Sequence, residues 1–226
     1  MPPAKATTQS DMTRDTPARP DRRARRRQET ISEILAIARD VMTTEGVNGL
    51  SLAEVARRLG VQPPSLYKYF PSLMAIYDAL FLDGQRENLE AMRAGMEGAD
   101  SGLDALIAGL EASGRWCLAN RAVAELLFWR PVPSFRPSAE AFAVSSEMVE
   151  LQRGVLADAV AQGQLGRGAN DESAIYLVST IIVGVLSQAF ANEPDLPWGE
   201  GRFTPMFATL MRLLPAAFPP GGATKD

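Results

Sequence analysis

Wherever this chain carries an apolar pattern, the pattern repeats every three or four residues, and nowhere does it alternate every two. Ile31, Ile34, Leu35, Ala38, Val41 and Met42 form one such stripe. Leu52, Val55, Ala56 and Leu59 form a shorter one, and Leu73, Ile76, Tyr77, Leu80 and Phe81 a third. This spacing places apolar side chains on one face of a helix, whereas a half-buried strand needs a period of two. The expectation is an all-α fold.

Local signals divide the pattern. Gly46 closes the first helix, which becomes periodic at Thr30. Ser51 can cap the next, with Glu54 three residues on in a capping-box arrangement. Gly60 supplies a tight turn, and Val61 reads as an apolar plug between two helices. Pro63 and Pro64 are tolerated only around a first turn, whose amides lack intrahelical partners. They open a short helix of about Pro64 to Phe70, held down by Leu66 and Phe70. A fourth helix starts at Ser72. Further on, Ser101 opens a helix, Asn120 can cap another that Pro131 stops, and Pro131 to Pro137 is a proline-broken loop. Ser138 to Gln162 reads as one long helix, Asp171 to Asn192 as another that is apolar nearly all round, and Phe203 to Phe218 as the last. That makes about nine helices.

Composition removes most catalytic chemistry. The chain has no histidine and one cysteine, Cys117. Ser-His-Asp and Cys-His arrangements, paired zinc ligands and internal disulfides therefore cannot form. No glycine-rich phosphate loop follows a strand pattern. The expectation is a protein that is not an enzyme and holds neither metal nor cofactor. The N-terminus lacks the apolar segment of a signal peptide, and the run Ile175 to Phe190 falls short of the roughly 20 residues that span a bilayer. A protein of the reducing cytoplasm, with no membrane partner, is expected.

Charge is distributed unevenly. The net charge is −4, yet residues 1–80 carry 12 Lys and Arg against 9 Asp and Glu, and the remainder 11 against 18. Any anion-binding surface is thus at the front. Residues 1–24 have the composition of a disordered arm that runs into Arg22, Arg23, Arg25, Arg26 and Arg27. The arginines are either solvated charge ahead of a helix or a basic arm that follows phosphates into a minor groove.

The informative unit is Ser51 to Phe70. Two short helices meet through Gly60 and Val61, and the second presents Gln62, Ser65, Tyr67, Lys68 and Tyr69 outward while Leu66 and Phe70 stay docked. A recognition helix is built this way, because its outer side chains must reach base edges in the major groove. Gly46 to Val61 resembles the first half of the DNA-binding domain of TetR-family (TetR/AcrR-type) regulators, and Pro64 to Ser72, with its "SLYKYF" core, resembles their recognition helix and following turn. The likeness covers roughly residues 28–82.

The resemblance implies a three-helix DNA-binding domain, here residues 25–71, followed by a ligand-binding and dimerisation domain, residues 72–226. It also implies repression relieved by an effector. Carried onto this chain, Ser51 would lie beside a phosphate, and Gln62, Pro64, Ser65, Tyr67, Lys68 and Tyr69, with Arg25, Arg26 and Arg27 of the arm, would face double-stranded DNA. Leu73 stands where family members often carry a phosphate-gripping lysine, and the arginine arm would supply that charge.

Trp116, Phe128, Trp129, Phe135 and Phe142 gather in the middle of the chain, with Arg115 beside them. They are either core or the lining of a pocket for a small apolar or amphipathic effector. The helices Asp171–Asn192 and Phe203–Phe218 carry more apolar surface than one partner covers, and pairing with their copies would make a homodimer. Three functions stay open: a repressor released from a palindromic operator by a small molecule, a DNA-binding regulator controlled by a protein partner, and a helical enzyme or carrier.

Overall fold

The computed structural model describes residues 22–221. Most of the expected N-terminal arm therefore lies outside the described residues. Within them the chain is helical throughout, with nine α-helices and no strand: α1 Arg22–Glu45, α2 Leu52–Leu59, α3 Leu73–Met96, α4 Leu103–Ala119, α5 Arg121–Phe128, α6 Ala139–Ala161, α7 Glu172–Asn192, α8 Met206–Met211 and α9 Leu214–Ala217. The all-α expectation holds.

Two apolar cores organise these helices. The first joins α1, α2 and the recognition segment to the N-terminal half of α3 and to α5, through Ile34, Leu66, Tyr77 and Leu126 among others. The second gathers the C-terminal half of α3, α4, α6, α7 and α8, with Leu106, Leu156, Val178 and Phe207 at its centre. Helix α3 belongs to both, since Ile76, Tyr77, Leu80 and Phe81 face the first and Leu89 and Met92 the second. The N-terminal core thus does not stop at residue 71. Small residues allow α3 to approach its neighbours closely: a Cβ on Gly84 would stand 2.5 Å from Val123 Cγ1, and one on Gly95 2.5 Å from Ala112 Cβ.

Helix α1 is already formed at Arg22, nine residues before Ile31 opens the apolar stripe. Arg25, Arg26 and Arg27 are therefore helical rather than part of an extended arm. Arginine is a good helix former, no breaker lies between Arg22 and Thr30, and Arg25 pairs with Glu29 one turn on at 3.0 Å. The final helix is split where a continuous one was expected. Pro215 offers no N–H to Met211 and its ring would clash with that carbonyl, so α8 ends at Met211 and α9 restarts with the proline in its first turn.

Helix α7 is 21 residues long and apolar enough to cross a membrane by length and composition alone. Here Ala174, Val178, Ile182, Leu186 and Phe190 are buried against the rest of the fold, which accounts for its hydrophobicity as a core helix.

Candidate DNA interface and effector cavity

The helix-turn-helix is assembled by local hydrogen bonds that the sequence encodes. Ser51 is extended (φ −142°, ψ 151°), and its hydroxyl accepts the Glu54 N–H at 3.2 Å, capping α2. The reciprocal half of the capping box does not form. Glu54 is occupied by Arg57 at 2.6 and 2.8 Å and by Arg58 at 2.6 Å. Two guanidinium groups hold its carboxyl down at about 2, although it is solvent-accessible. Arg58 also pairs with Asp40 and with Glu45 (2.6 Å), tying α2 to α1.

At the other end of α2, Gly60 adopts φ +73° and ψ 26°. The Val61 N–H reaches the Ala56 carbonyl at 3.0 Å and the Gly60 N–H that of Arg57 at 3.2 Å, a Schellman stop. Val61 itself is 37% exposed, so it is not the interhelical plug expected from its position.

The recognition segment is a 3₁₀-helix, Pro63–Lys68, rather than an α-helix from Pro64 to Phe70. Two prolines at its start contribute no N–H, and the first bond available is Ser65 N–H to Gln62 O at 2.9 Å, which spans three residues. Leu66 (0% exposed) and Phe70 anchor it in the first core. Gln62, Pro64, Tyr67 and Lys68 are exposed side by side, whereas Ser65 and Tyr69 are half-buried.

Arg27 reaches this segment from α1. Its Nη1 donates to the Lys68 carbonyl at 3.0 Å, and its guanidinium lies 5.3 Å from the Tyr69 ring centroid, with Lys68 Nζ at 4.9 Å from the same ring. The Tyr69 hydroxyl is pushed below its ordinary pKa by a hydrogen bond with Thr30, followed by the adjacent Lys68 and Arg27 charges. The outcome is a cationic corner at the end of the recognition segment, made by Arg27 of α1 together with Lys68. Leu73, in place of a lysine, is half-buried and packs on the first core.

This unit is coupled to α3. The Tyr77 hydroxyl donates to the Val47 carbonyl at 2.7 Å from a buried position, and Arg39 on α1 grips Glu87 through two hydrogen bonds of 2.6 and 3.0 Å. These contacts tie α3 to the helix-turn-helix unit.

In the C-terminal half, a cavity of about 300 Å³ lies among α3, α4, α5, α6 and α7. Of the residues singled out from sequence, Phe128 and Phe142 line it. Phe135 and Phe142 line a second, outer cleft of about 470 Å³ beneath Pro131–Pro137, beside Arg130 and Arg136. The other three line neither. Trp129 donates from Nε1 to Ser187 Oγ at 3.0 Å and packs on Phe128 and Phe190. Trp116 is half-buried against both cores, and Arg115 is exposed and paired with Glu111 at 2.9 Å. Three of the five aromatic residues thus line a cavity and the two tryptophans pack instead.

Sequence reasoning missed the buried polar groups of the inner cavity, Gln85, Gln152 and Ser113, which it shares with the half-buried Ser145 and the exposed Ser179. Their signal was present as single polar residues interrupting apolar helix faces. Cys117 also lines the cavity, and burial raises its thiol to about 12. Among the described residues no cluster of acids and cysteine could hold a metal ion.

Fold and site together define a helix-turn-helix protein of the transcriptional-regulator class, with the exposed segment Pro63–Lys68 at one end and a helical, cavity-bearing domain behind it. Residues 34–80 match the family of bacterial regulatory proteins named tetR. Over these residues the chain carries the N-terminal domain of the TetR family of transcriptional regulators.

It is similar to an uncharacterized HTH-type transcriptional regulator, YobS, of Bacillus subtilis (strain 168), at 37% identity over 59 residues, 26% of this chain and 31% of that regulator. The match to YobS thus spans about a third of that protein's length. Similarity to the class C tetracycline repressor protein of Escherichia coli runs longer, 28% identity over 186 residues, covering 81% of this chain and 77% of the repressor. Among solved structures, the TetR-family regulator PfmR of Thermus thermophilus superposes with a TM-score of 0.63 at 23% identity, over 80% of this chain and 96% of PfmR, a likeness of fold.

Proposed function

We propose that this protein is a homodimeric repressor that places two recognition segments in successive major grooves of a palindromic operator and leaves it when a small molecule enters the inner cavity. The observation that carries the reading is the recognition segment itself. Leu66 and Phe70 are buried beneath it while Gln62, Pro64, Tyr67 and Lys68 stand exposed together. Gln62 and Lys68 can reach base edges or phosphates, and Tyr67 is suited to a phosphate. The half-buried Ser65 and Tyr69 border that face, and Ser51 caps α2 where a phosphate would approach. Arg25, Arg26 and Arg27 add charge from the first turns of α1.

Dimerisation would use the face of α7 bearing Tyr176, Thr180 and Gly184, all exposed, together with Met206 and Leu213 of α8 and the turn after it. A two-fold dimer presents its recognition segments at one spacing, about 34–36 Å for half-sites one turn apart. A ligand that moves α3 would change that spacing through Tyr77 and Arg39, lowering operator affinity. The protein would act in the cytoplasm, where the chromosome is.

Selection of bound duplexes from a random pool, followed by affinity against salt for wild type and Lys68→Ala, tests the proposal. A palindrome should emerge, with weaker binding and a salt slope smaller by about one for the variant. Failure to enrich any sequence, with wild type and variant binding alike, would refute it.

A further inference from the structure

The inner cavity is specific about charge. Its walls are largely apolar, from Phe81 and Leu110 to Met148 and Ile182, and its polar groups are amides and hydroxyls. Among the described residues no Arg, Lys, Asp or Glu lines it, and its single ionisable group, Cys117, stays neutral. An ionised guest there would lose its hydration without gaining a counter-charge, a heavy penalty.

Gln152 supplies the second constraint. It is 7% exposed, lines the cavity from α6, and its Oε1 has no hydrogen-bond partner among the described residues. Gln85 lines the same cavity from α3, is 4% exposed and makes no hydrogen bond among the described residues. Most buried carboxamides are satisfied, so two that line one cavity and make no hydrogen bond among the described residues indicate a guest that hydrogen-bonds with them.

The volume of about 300 Å³ is at the small end of ligand pockets, suited to one or two rings rather than a long chain or a nucleotide conjugate. Resting on the regulator reading above, we propose that the effector is a neutral, mainly apolar ring compound carrying a hydroxyl, which hydrogen-bonds with the Gln152 carboxamide and meets Gln85 from the opposite helix. A hydroxyl suits this pair because it both donates and accepts. Since Gln85 stands on α3, two turns beyond Tyr77, the same contact sits on the helix that reaches the helix-turn-helix.

Isothermal titration of the full chain at pH 7 with 2-naphthol and 4-phenylphenol tests this, each beside its hydrocarbon parent and its carboxylate counterpart. At least one hydroxyl compound should bind, about tenfold more tightly than its hydrocarbon and about a hundredfold or more above its carboxylate. Gln152→Leu should bring the hydroxyl compound down to the hydrocarbon's affinity while leaving thermal stability equal or higher, because it removes an orphaned acceptor. Gln85→Leu provides a second variant with the same expected direction.

Equal or tighter binding of a carboxylate would overturn the proposal. So would undiminished hydroxyl binding by Gln152→Leu, or no binding by either hydroxyl compound. Operator binding is scored separately. If wild type and Gln152→Leu hold the selected operator but the hydroxyl compounds fail, the ligand class alone is wrong, whereas absence of any operator sinks the regulator reading itself.

Discussion

Replacing Leu66 by alanine tests the premise on which the DNA interface rests, that a single buried side chain docks an otherwise exposed segment. Pro63–Lys68 is a short 3₁₀-helix, and the bonds at its two ends are Ser65 N–H to Gln62 O and Tyr69 N–H to Leu66 O, with Phe70 N–H returning to Leu66 O at 2.9 Å. So short a helix has little stability of its own, and its position depends on packing. Leu66 is 0% exposed and belongs to the same core as Val55, Ala56 and Ile76. Truncation to alanine in such a site costs about 2–5 kcal/mol, from lost transfer energy and the cavity left behind.

With a urea slope of about 2 kcal/mol/M, the unfolding midpoint of the N-terminal core should fall by about 1–2.5 M. Far-UV circular dichroism is the appropriate probe, because Trp116, Trp129 and Trp198 all lie beyond that core's helix-turn-helix. Tyr67→Ala is the matched control. Tyr67 is 54% exposed, so its loss should leave stability within about 0.5 kcal/mol while weakening operator binding. A Leu66→Ala protein less than about 1 kcal/mol destabilised would refute the docking argument.

Two further outcomes follow from titrating groups. Glu54 is depressed to about 2 by hydrogen bonds from Arg57 and Arg58, so its contribution is fully present above its ordinary value near 4.5 and is lost as pH falls from there through about 2. Thermal melts should show this acid-side loss in wild type, and Glu54→Gln should flatten it. An unchanged profile would remove Glu54 as its source. Cys117 is buried with its thiol raised to about 12, so a thiol reagent at about pH 8 should react only after denaturation. Rapid labelling of the native protein would show that the inner cavity opens freely.

The chain's own periodicity determined that it would be helical, and Ser51, Gly60 and Ser72 determined where helices would start and stop. These are local effects: each cap satisfies an amide three residues away, and Gly60 adopts a φ that other residues resist. The recognition unit was legible for the same reason, since its turn, its two anchors and its outward residues lie within one short stretch. Arg22 to Arg27 were readable as charge, but whether they formed an arm or a helix depended on propensity acting together with the Arg27 contact to Lys68 O, 41 positions away.

The cavity belongs wholly to tertiary structure. Gln85 and Gln152 come from helices separated by dozens of residues, and nothing in their local sequence says that they share one void. Aromatic spacing pointed to Trp116 and Trp129, which pack or hydrogen-bond elsewhere, because helical periodicity reports that a side chain is turned inward and not whether other side chains fill the space it meets. That distinction is made only when five helices pack and leave a gap between them.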